Sequence, residues 1–173
     1  VKAAKEKGIV VANVPDYCIE EVSDTAIAHI FNCVRKISLS NDLVHQEKWV
    51  FTNIKPVHRF SSLTIGLLAF GNISRRVAEK LQSFGISILA YDPYFRQQEK
   101  YPWVTFLSLE ELLSQSDVIS VHIPLNEESH HMLNRERFGL MKKGVIIVNT
   151  SRGGLIDEVA LAEAIDSGIV AGA

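Results

Sequence analysis

Cysteine, proline, tryptophan and methionine are scarce in this chain of 173 residues, and neither sign of charge dominates it. Cys18 and Cys33 form no CxxC pair and join no histidine cluster at metal-ligand spacing, so they are expected as buried free thiols in a reducing compartment, with no metal site. Lys plus Arg number 18 against 20 Asp plus Glu, a net charge of -2 without a long run of one sign. That balance leaves no electrostatic footprint for DNA, RNA or an acidic membrane, and partners are expected to be small molecules or protein. No apolar run approaches the roughly 18 residues of a membrane span, and no signal-peptide pattern opens the chain. The expectation is a cytoplasmic protein.

What is present is an apolar content of 47%, enough for one ordinary domain. The first residues, 1–7, already read as helix, and 169–173 read as a strand entering a sheet. Both ends are expected to be cuts through a larger protein. Residues 9–12 are short, apolar and β-branched and predict a strand, followed by a turn at 13–16. Apolar residues at Val22, Ala26, Ile30, Phe31, Val34 and Ile37 recur at helical spacing and predict one long helix from about 19 to 45. Such length suggests a helix crossing between domains or subunits. Residues 46–62 show no sustained period and read as a loop, with Trp49 and Phe51 as candidate anchors.

From Thr64 onward, strands alternate with helices. Apolar runs at 64–69, 86–91, 104–106, 118–122 and 145–149 predict strands, and helices are expected at 72–84, from Ser108, at 135–141 and from Asp157 to Asp166. Ser108 and Glu111 have capping-box spacing, Asn134 and Asp157 are cap candidates, and Gly168 is a stop. Strands apolar throughout, rather than at every second residue, indicate an α/β fold with a doubly wound parallel sheet covered on both faces. Ligands in such folds sit beyond the carboxyl ends of the strands, which here means the residues after Ala69, Tyr91, Val121 and Val148.

The loop Ala69-Phe70-Gly71-Asn72-Ile73-Ser74 is a degenerate GxGxxG. Only the second glycine is kept, at Gly71, where the backbone must approach a pyrophosphate. Ser74 is small enough for close packing of helix on strand. Ala69 departs from the pattern, and its Cβ strains the turn by roughly 1 to 3 kcal/mol if the position demands a glycine-like conformation. Asp92 lies 21 residues after Gly71, near the spacing at which an acid accepts hydrogen bonds from the adenosine ribose. The alternatives are a purely structural strand-to-helix turn for the loop and a turn former ahead of Pro93 for Asp92.

The stretches TIGLLAFGNISRRVAEKLQSFGISILAYDPY, VHIPLNEESHHMLN and MKKGVIIVNTSRGGLIDEVALAEAI resemble the D-isomer-specific 2-hydroxyacid dehydrogenases, and DYCIEEVSDTAIAHI resembles the branch shared by phosphoglycerate dehydrogenase-like enzymes and the C-terminal-binding-protein co-repressors. The resemblance implies a Rossmann-type domain that binds NAD, truncated from a two-domain protein. It divides the chain into residues 1–17, a remnant of the substrate-domain crossover, and 18–173, the dinucleotide-binding domain cut before its last strand. It implies cofactor contacts at Phe70, Gly71, Asn72, Ile73, Asp92, Pro93, His122, Ile123, Pro124, Thr150, Ser151 and Arg152. Arg152 is also the implied catalytic residue, holding a substrate carboxylate beside the nicotinamide; pairing with Asp157 on the surface is its alternative. Where the family often carries Thr this chain has Asn126. None of its 6 histidines takes the family's catalytic position, and His130 and His131 read as loop surface. A catalytic Asp, Glu and His are expected past Ala173.

The function implied is NAD(H) binding for an oxidoreductase that interconverts a 2-oxoacid and a D-2-hydroxyacid, with the fragment alone inactive and the domain a homodimer. The alternatives are a co-repressor-like NAD(H)-sensing dimerisation module and a domain that keeps the fold but has lost NAD. Asp92 should favour NADH over NADPH, Arg96 reading as a solvated loop residue.

Overall fold

In a computed structural model the backbone is described for all residues except Val50 and Lys55, and side chains for all but these, Phe51 and Asn53. Short helix α1 (Lys2–Glu6) is followed by extended chain, then α2 (Ile19–Arg35) and α3 (Ile37–His45). The alternating part comprises β1 (Thr64–Leu68), α4 (Asn72–Gln82), β2 (Ser87–Tyr91), β3 (Val104–Phe106), α5 (Leu109–Gln115), β4 (Val118–Val121), α6 (Arg135–Gly139), β5 (Val145–Asn149), α7 (Glu158–Asp166) and β6 (Val170–Gly172). The six strands form one parallel sheet in the order β3-β2-β1-β4-β5-β6. This is the doubly wound order 3-2-1-4-5-6, whose direction reverses between β1 and β4.

Each face of the sheet carries its own apolar core. Ala26, Ile30 and Val34 of α2 and Val77, Ala78 and Leu81 of α4 cover one side; Leu112 and Leu113 of α5, Phe138 of α6 and Ala160 and Ala164 of α7 cover the other. The helix starts follow cap chemistry. Ser108 and Glu111 form the reciprocal capping box, Asn134 accepts from the Arg137 amide, and Asp157 accepts from Val159 and Ala160.

Four expectations change. Residues 9–12 form no strand: Ile9, Val10 and Val11 are exposed, and no neighbour among the described residues offers a ladder, without which β-branched composition does not make a strand. The helix expected over 19–45 is two helices, broken where Lys36 turns left-handed at φ 53°. There the Asn32 carboxamide oxygen accepts from both the amide and the hydroxyl of Ser38, each at 2.9 Å, and supplies the start of α3. No side chain of α3 is buried. Trp49 anchors nothing, being 87% exposed, while the Phe51 side chain lies outside the described residues. Cys18 and Cys33 are free and half-buried rather than fully buried. No helix among the described residues is long and apolar enough to cross a membrane.

The sheet admits α5 at one point only because Gly66 lacks a side chain. A Cβ there would lie 2.2 Å from Ser116 Oγ and 2.6 Å from Leu112 Cδ2, inside the core. Gly66→Ala is therefore expected to lower stability by about 2 to 3 kcal/mol through overpacking. Urea unfolding checks this; a loss under about 0.5 kcal/mol would mean that α5 moves away freely.

Candidate cofactor and substrate-anion site

The site is built where the sheet reverses, from the turns after β1, β2, β4 and β5. The chain leaves β1 through Ala69, whose φ of 72° is left-handed, so the first fingerprint position does demand the conformation that glycine adopts freely. The turn is held from outside. Ala69 N–H donates to Tyr91 O at 2.8 Å, and Phe70 N–H donates to Asp92 Oδ2 at 2.8 Å. Gly71 then starts α4 with no side-chain cap and no acid in the first turn, and the space that a Cβ would enter is open. Amides at an uncapped helix start, beside an open glycine, are a cradle for an anion.

The Phe70 ring points the other way. It is fully buried among Phe95, Tyr101 and Phe106, with centroids 5.0 to 5.1 Å away in edge-to-face geometry. Only its backbone faces the turn. Asn72 is exposed, its carboxamide oxygen taken by Arg75. Ser74, in the third fingerprint place, is wholly buried and its hydroxyl has no partner among the described residues. Asp92 acts as a turn former too, Oδ1 accepting from Tyr94 N at 2.9 Å and Phe95 N at 3.1 Å. Each carboxylate oxygen accepts more than one hydrogen bond, so this structural use leaves room for a ribose hydroxyl.

Two cavities flank the turn. A larger one, about 620 Å³, is lined by Ile73, His122, Thr150, Ser151 and Arg152 together with Val22 of α2. A smaller one, about 310 Å³, is lined by Ala69, Tyr91, Pro93, Tyr94, Ser129 and Met132. Ile123 and Pro124 belong to both and form the ridge between them. Sequence reading missed Val22, Tyr91, Tyr94, Ser129 and Met132. The two tyrosines flank Asp92 and were findable from that position; Val22 and Met132 arrive from distant elements and left no local signal.

The loop after β5 is braced from within. Asn149 Oδ1 accepts from Ser151 N at 3.0 Å, its Nδ2 donates to Arg152 O at 2.9 Å, and Ser151 Oγ donates to Val121 O at 3.0 Å. The exposed Arg152 guanidinium meets only the Ser151 carbonyl, at 2.9 Å, and forms no salt bridge among the described residues. Asp157, the alternative partner, is engaged at the start of α7. The Thr150 hydroxyl is buried beside the larger cavity without a partner among the described residues. An unpaired hydroxyl, an unpaired guanidinium and an open anion cradle around one ridge fit a bent, phosphate-bearing ligand with an anionic co-ligand.

His122 is the titratable side chain deepest in this site. Its ring Nε2 lies 2.9 Å from Ser120 Oγ, and burial pulls its pKa down to about 4. It is neutral at pH 7. His130 and His131 stack on each other at 3.9 Å on the exposed surface.

Sheet order, fingerprint turn and paired cavities define a dinucleotide-binding domain of Rossmann type. The family model described as the D-isomer specific 2-hydroxyacid dehydrogenase NAD binding domain matches residues 27–173, and the chain belongs to this family. A hydroxypyruvate reductase of Thermotoga maritima is 42% identical over 170 residues, covering 98% of this chain and 55% of the relative. The D-lactate dehydrogenase of Aquifex aeolicus, solved with NAD and lactic acid, superposes with a TM-score of 0.89 at 37% identity, covering 99% of this chain and 51% of that one. D-2-hydroxyisocaproate dehydrogenase superposes with a TM-score of 0.93 at 31% identity, covering 99% and 52%. The chain thus spans about half the length of the relatives it matches. These relatives are reductases and dehydrogenases, which lends no support to the co-repressor-like alternative. The cofactor is NAD, and the features at Gly71, Asp92 and Thr150 fit it.

Two outcomes follow from the local energetics. Ala69→Gly relieves the left-handed strain, and stability should rise by about 1 kcal/mol, seen as a higher urea midpoint at unchanged slope. An unchanged midpoint would show that the turn carries no strain. For His122, the unfolded imidazole takes up a proton near the ordinary pKa of 6.5 while the folded one does so only near 4. Stability is therefore complete above about pH 6.5 and falls as pH drops toward 4, by on the order of 2 kcal/mol. His122→Asn should flatten that part of the stability profile whatever its absolute stability; an identical slope in parent and variant would assign the acid loss elsewhere.

Proposed function

We propose that this domain is the NAD-binding half of an enzyme that interconverts a 2-oxoacid and a D-2-hydroxyacid. The observation that carries this reading is the Arg152 guanidinium on the wall of the larger cavity, free of any salt bridge among the described residues, together with the ridge and the buried Thr150 hydroxyl. When bound, the nicotinamide supplies the hydride acceptor or donor for the substrate carbon. The residues of this chain do the rest of the positioning. Amides at the start of α4 and the open backbone at Gly71 hold the pyrophosphate, Asp92 accepts hydrogen bonds from the ribose, and Ile73, Ile123 and Pro124 exclude water along the ridge. Arg152 holds the substrate carboxylate through paired charge-assisted hydrogen bonds and polarises the adjacent ketone oxygen.

Half-buried His122, neutral at pH 7, does not hold the proton, and this reading assigns the proton transfer to another group. The reading also includes a homodimer, supported by Ile37, Leu39 and Val44, which α3 leaves 44 to 55% exposed.

Calorimetric titration of the chain should show NADH binding, with NADPH weaker by about tenfold or more, at least 1.4 kcal/mol, because Asp92 repels the additional phosphate. Asp92→Asn keeps an oxygen for Phe70 and the turn while removing the charge, and should narrow the gap. Assays of the chain with NADH and glyoxylate or pyruvate should show no turnover. Equal affinities for the two cofactors, or a gap unchanged in Asp92→Asn, would reduce Asp92 to a turn residue. Turnover of either acid would place the proton donor within these residues.

A further inference from the structure

The turn between β4 and α6, residues 124–131, is more tightly built than a cavity wall requires. Asn126 and Ser129 grip each other twice: the Asn126 amide donates to Ser129 Oγ at 2.8 Å, and the Ser129 amide donates to Asn126 Oδ1 at 2.8 Å. Ser129 Oγ in turn donates to Pro124 O at 2.7 Å, and Ser129 is only 3% exposed. The box thus ties the residues lining the smaller cavity to the ridge residue Pro124. Its far end reaches the arginine loop. His130 N–H donates to Asn126 O at 3.0 Å, and His131, left-handed at φ 51°, donates its N–H to Gly154 O at 2.8 Å. Two further backbone bonds continue the seam, Leu133 N to Leu155 O at 3.0 Å and Asp157 N to Leu133 O at 2.9 Å.

The approach at Gly154 is close. A Cβ there would stand 3.2 Å from Leu125 Cδ2 and 3.6 Å from His130 Cδ2, so the turn lies directly on the backbone two residues beyond Arg152. One short segment therefore lines the smaller cavity, supplies the ridge and buttresses the loop that carries the guanidinium. Each backbone or hydroxyl bond in it is worth only about 1 kcal/mol, but together they make a strut whose two ends cannot shift independently.

We propose that Asn126 and Ser129 are positioning residues: their box couples occupation of the smaller cavity to the placement of Arg152. The proposal rests on the cofactor reading above. Filling the smaller cavity presses on Ser129 and Pro124, stiffens the turn, and through His131 and Leu133 fixes Gly154 and Leu155. The guanidinium is then held in place before the carboxylate arrives. Asn126 performs by its carboxamide what a cap residue does at a helix start, which gives the departure at this position a structural use.

The test uses AMP, whose adenosine the cofactor reading places in the smaller cavity between Tyr91 and Pro93 on one side and Ser129 on the other, and reads amide hydrogen exchange of His131, Leu133 and Leu155 in the 173-residue chain. Saturating AMP should slow exchange at these amides in the parent by about fivefold or more, the lower end of ordinary coupling between sites. In Ser129→Ala, with AMP raised until calorimetry shows that variant saturated, the slowing should disappear, and Ser129→Thr, which keeps the hydroxyl, should restore it. Asn126 is exposed, so Asn126→Ala tests the same box if Ser129→Ala does not fold. Bound AMP with no slowing in the parent, or slowing that survives in the alanine variants, overturns the coupling and leaves the cofactor reading intact. Failure of the parent to bind either AMP or NADH overturns the cofactor reading and the coupling with it.

Discussion

The site depends on one hydrogen bond, from the Phe70 amide to the Asp92 carboxylate at 2.8 Å. It joins the turn after β1 to the turn after β2, and with the neighbouring bond from Ala69 to Tyr91 it holds a non-glycine residue in left-handed geometry. Without that tie the strain at Ala69, on the order of 1 to 2 kcal/mol, would favour another path for the chain. The path taken sends the Phe70 ring into its aromatic box and leaves Gly71 and the start of α4 open. The open helix start, the buried ring and the placement of the Asp92 carboxylate are consequences of the same arrangement.

Local cap chemistry was fully legible in the sequence. Ser108, Asn134 and Asp157 each announce a helix start because the bonds they form span only two or three residues. The same chemistry bears on a question that composition left open, since Asp157 Oδ1 caps α7 and no salt bridge to Arg152 forms among the described residues. Apolar strands and their alternation with helices gave the sheet, and the degenerate fingerprint located its reversal point. What stayed hidden was non-local. Periodicity runs unbroken through Lys36, and only the Asn32 side chain reaching Ser38 ends one helix and starts the next. Residues 9–12 have strand composition, but composition does not supply a neighbour.

Of the residues expected from strand ends, His122, Thr150 and Arg152 line the larger cavity, while Asp92 lines neither cavity and ties the β1 and β2 turns together. Val22 and Met132 enter through packing of α2 and of the segment before α6, which no local pattern encodes. His122 illustrates the limit of residue type as a guide. A histidine just past a strand end in a cavity wall invites an acid-base role, yet desolvation beside Ser120 draws its pKa down to about 4 and leaves it neutral at pH 7.

The ridge of Ile123 and Pro124 has a consequence for selectivity by size. Because it divides the space into two basins, a molecule that fills both must be two-headed, with a linker long enough to cross the crest and bent enough to follow it. In such a ligand each head would raise the effective concentration of the other, so a dinucleotide seated across the crest would gain an avidity that a mononucleotide in a single basin lacks. Free nucleotides abundant in a cell would compete for one basin at a time. On the proposed reading the crest would act as a molecular ruler, favouring a full-length ligand over half-length competitors through geometry instead of through any contact that reads their chemistry.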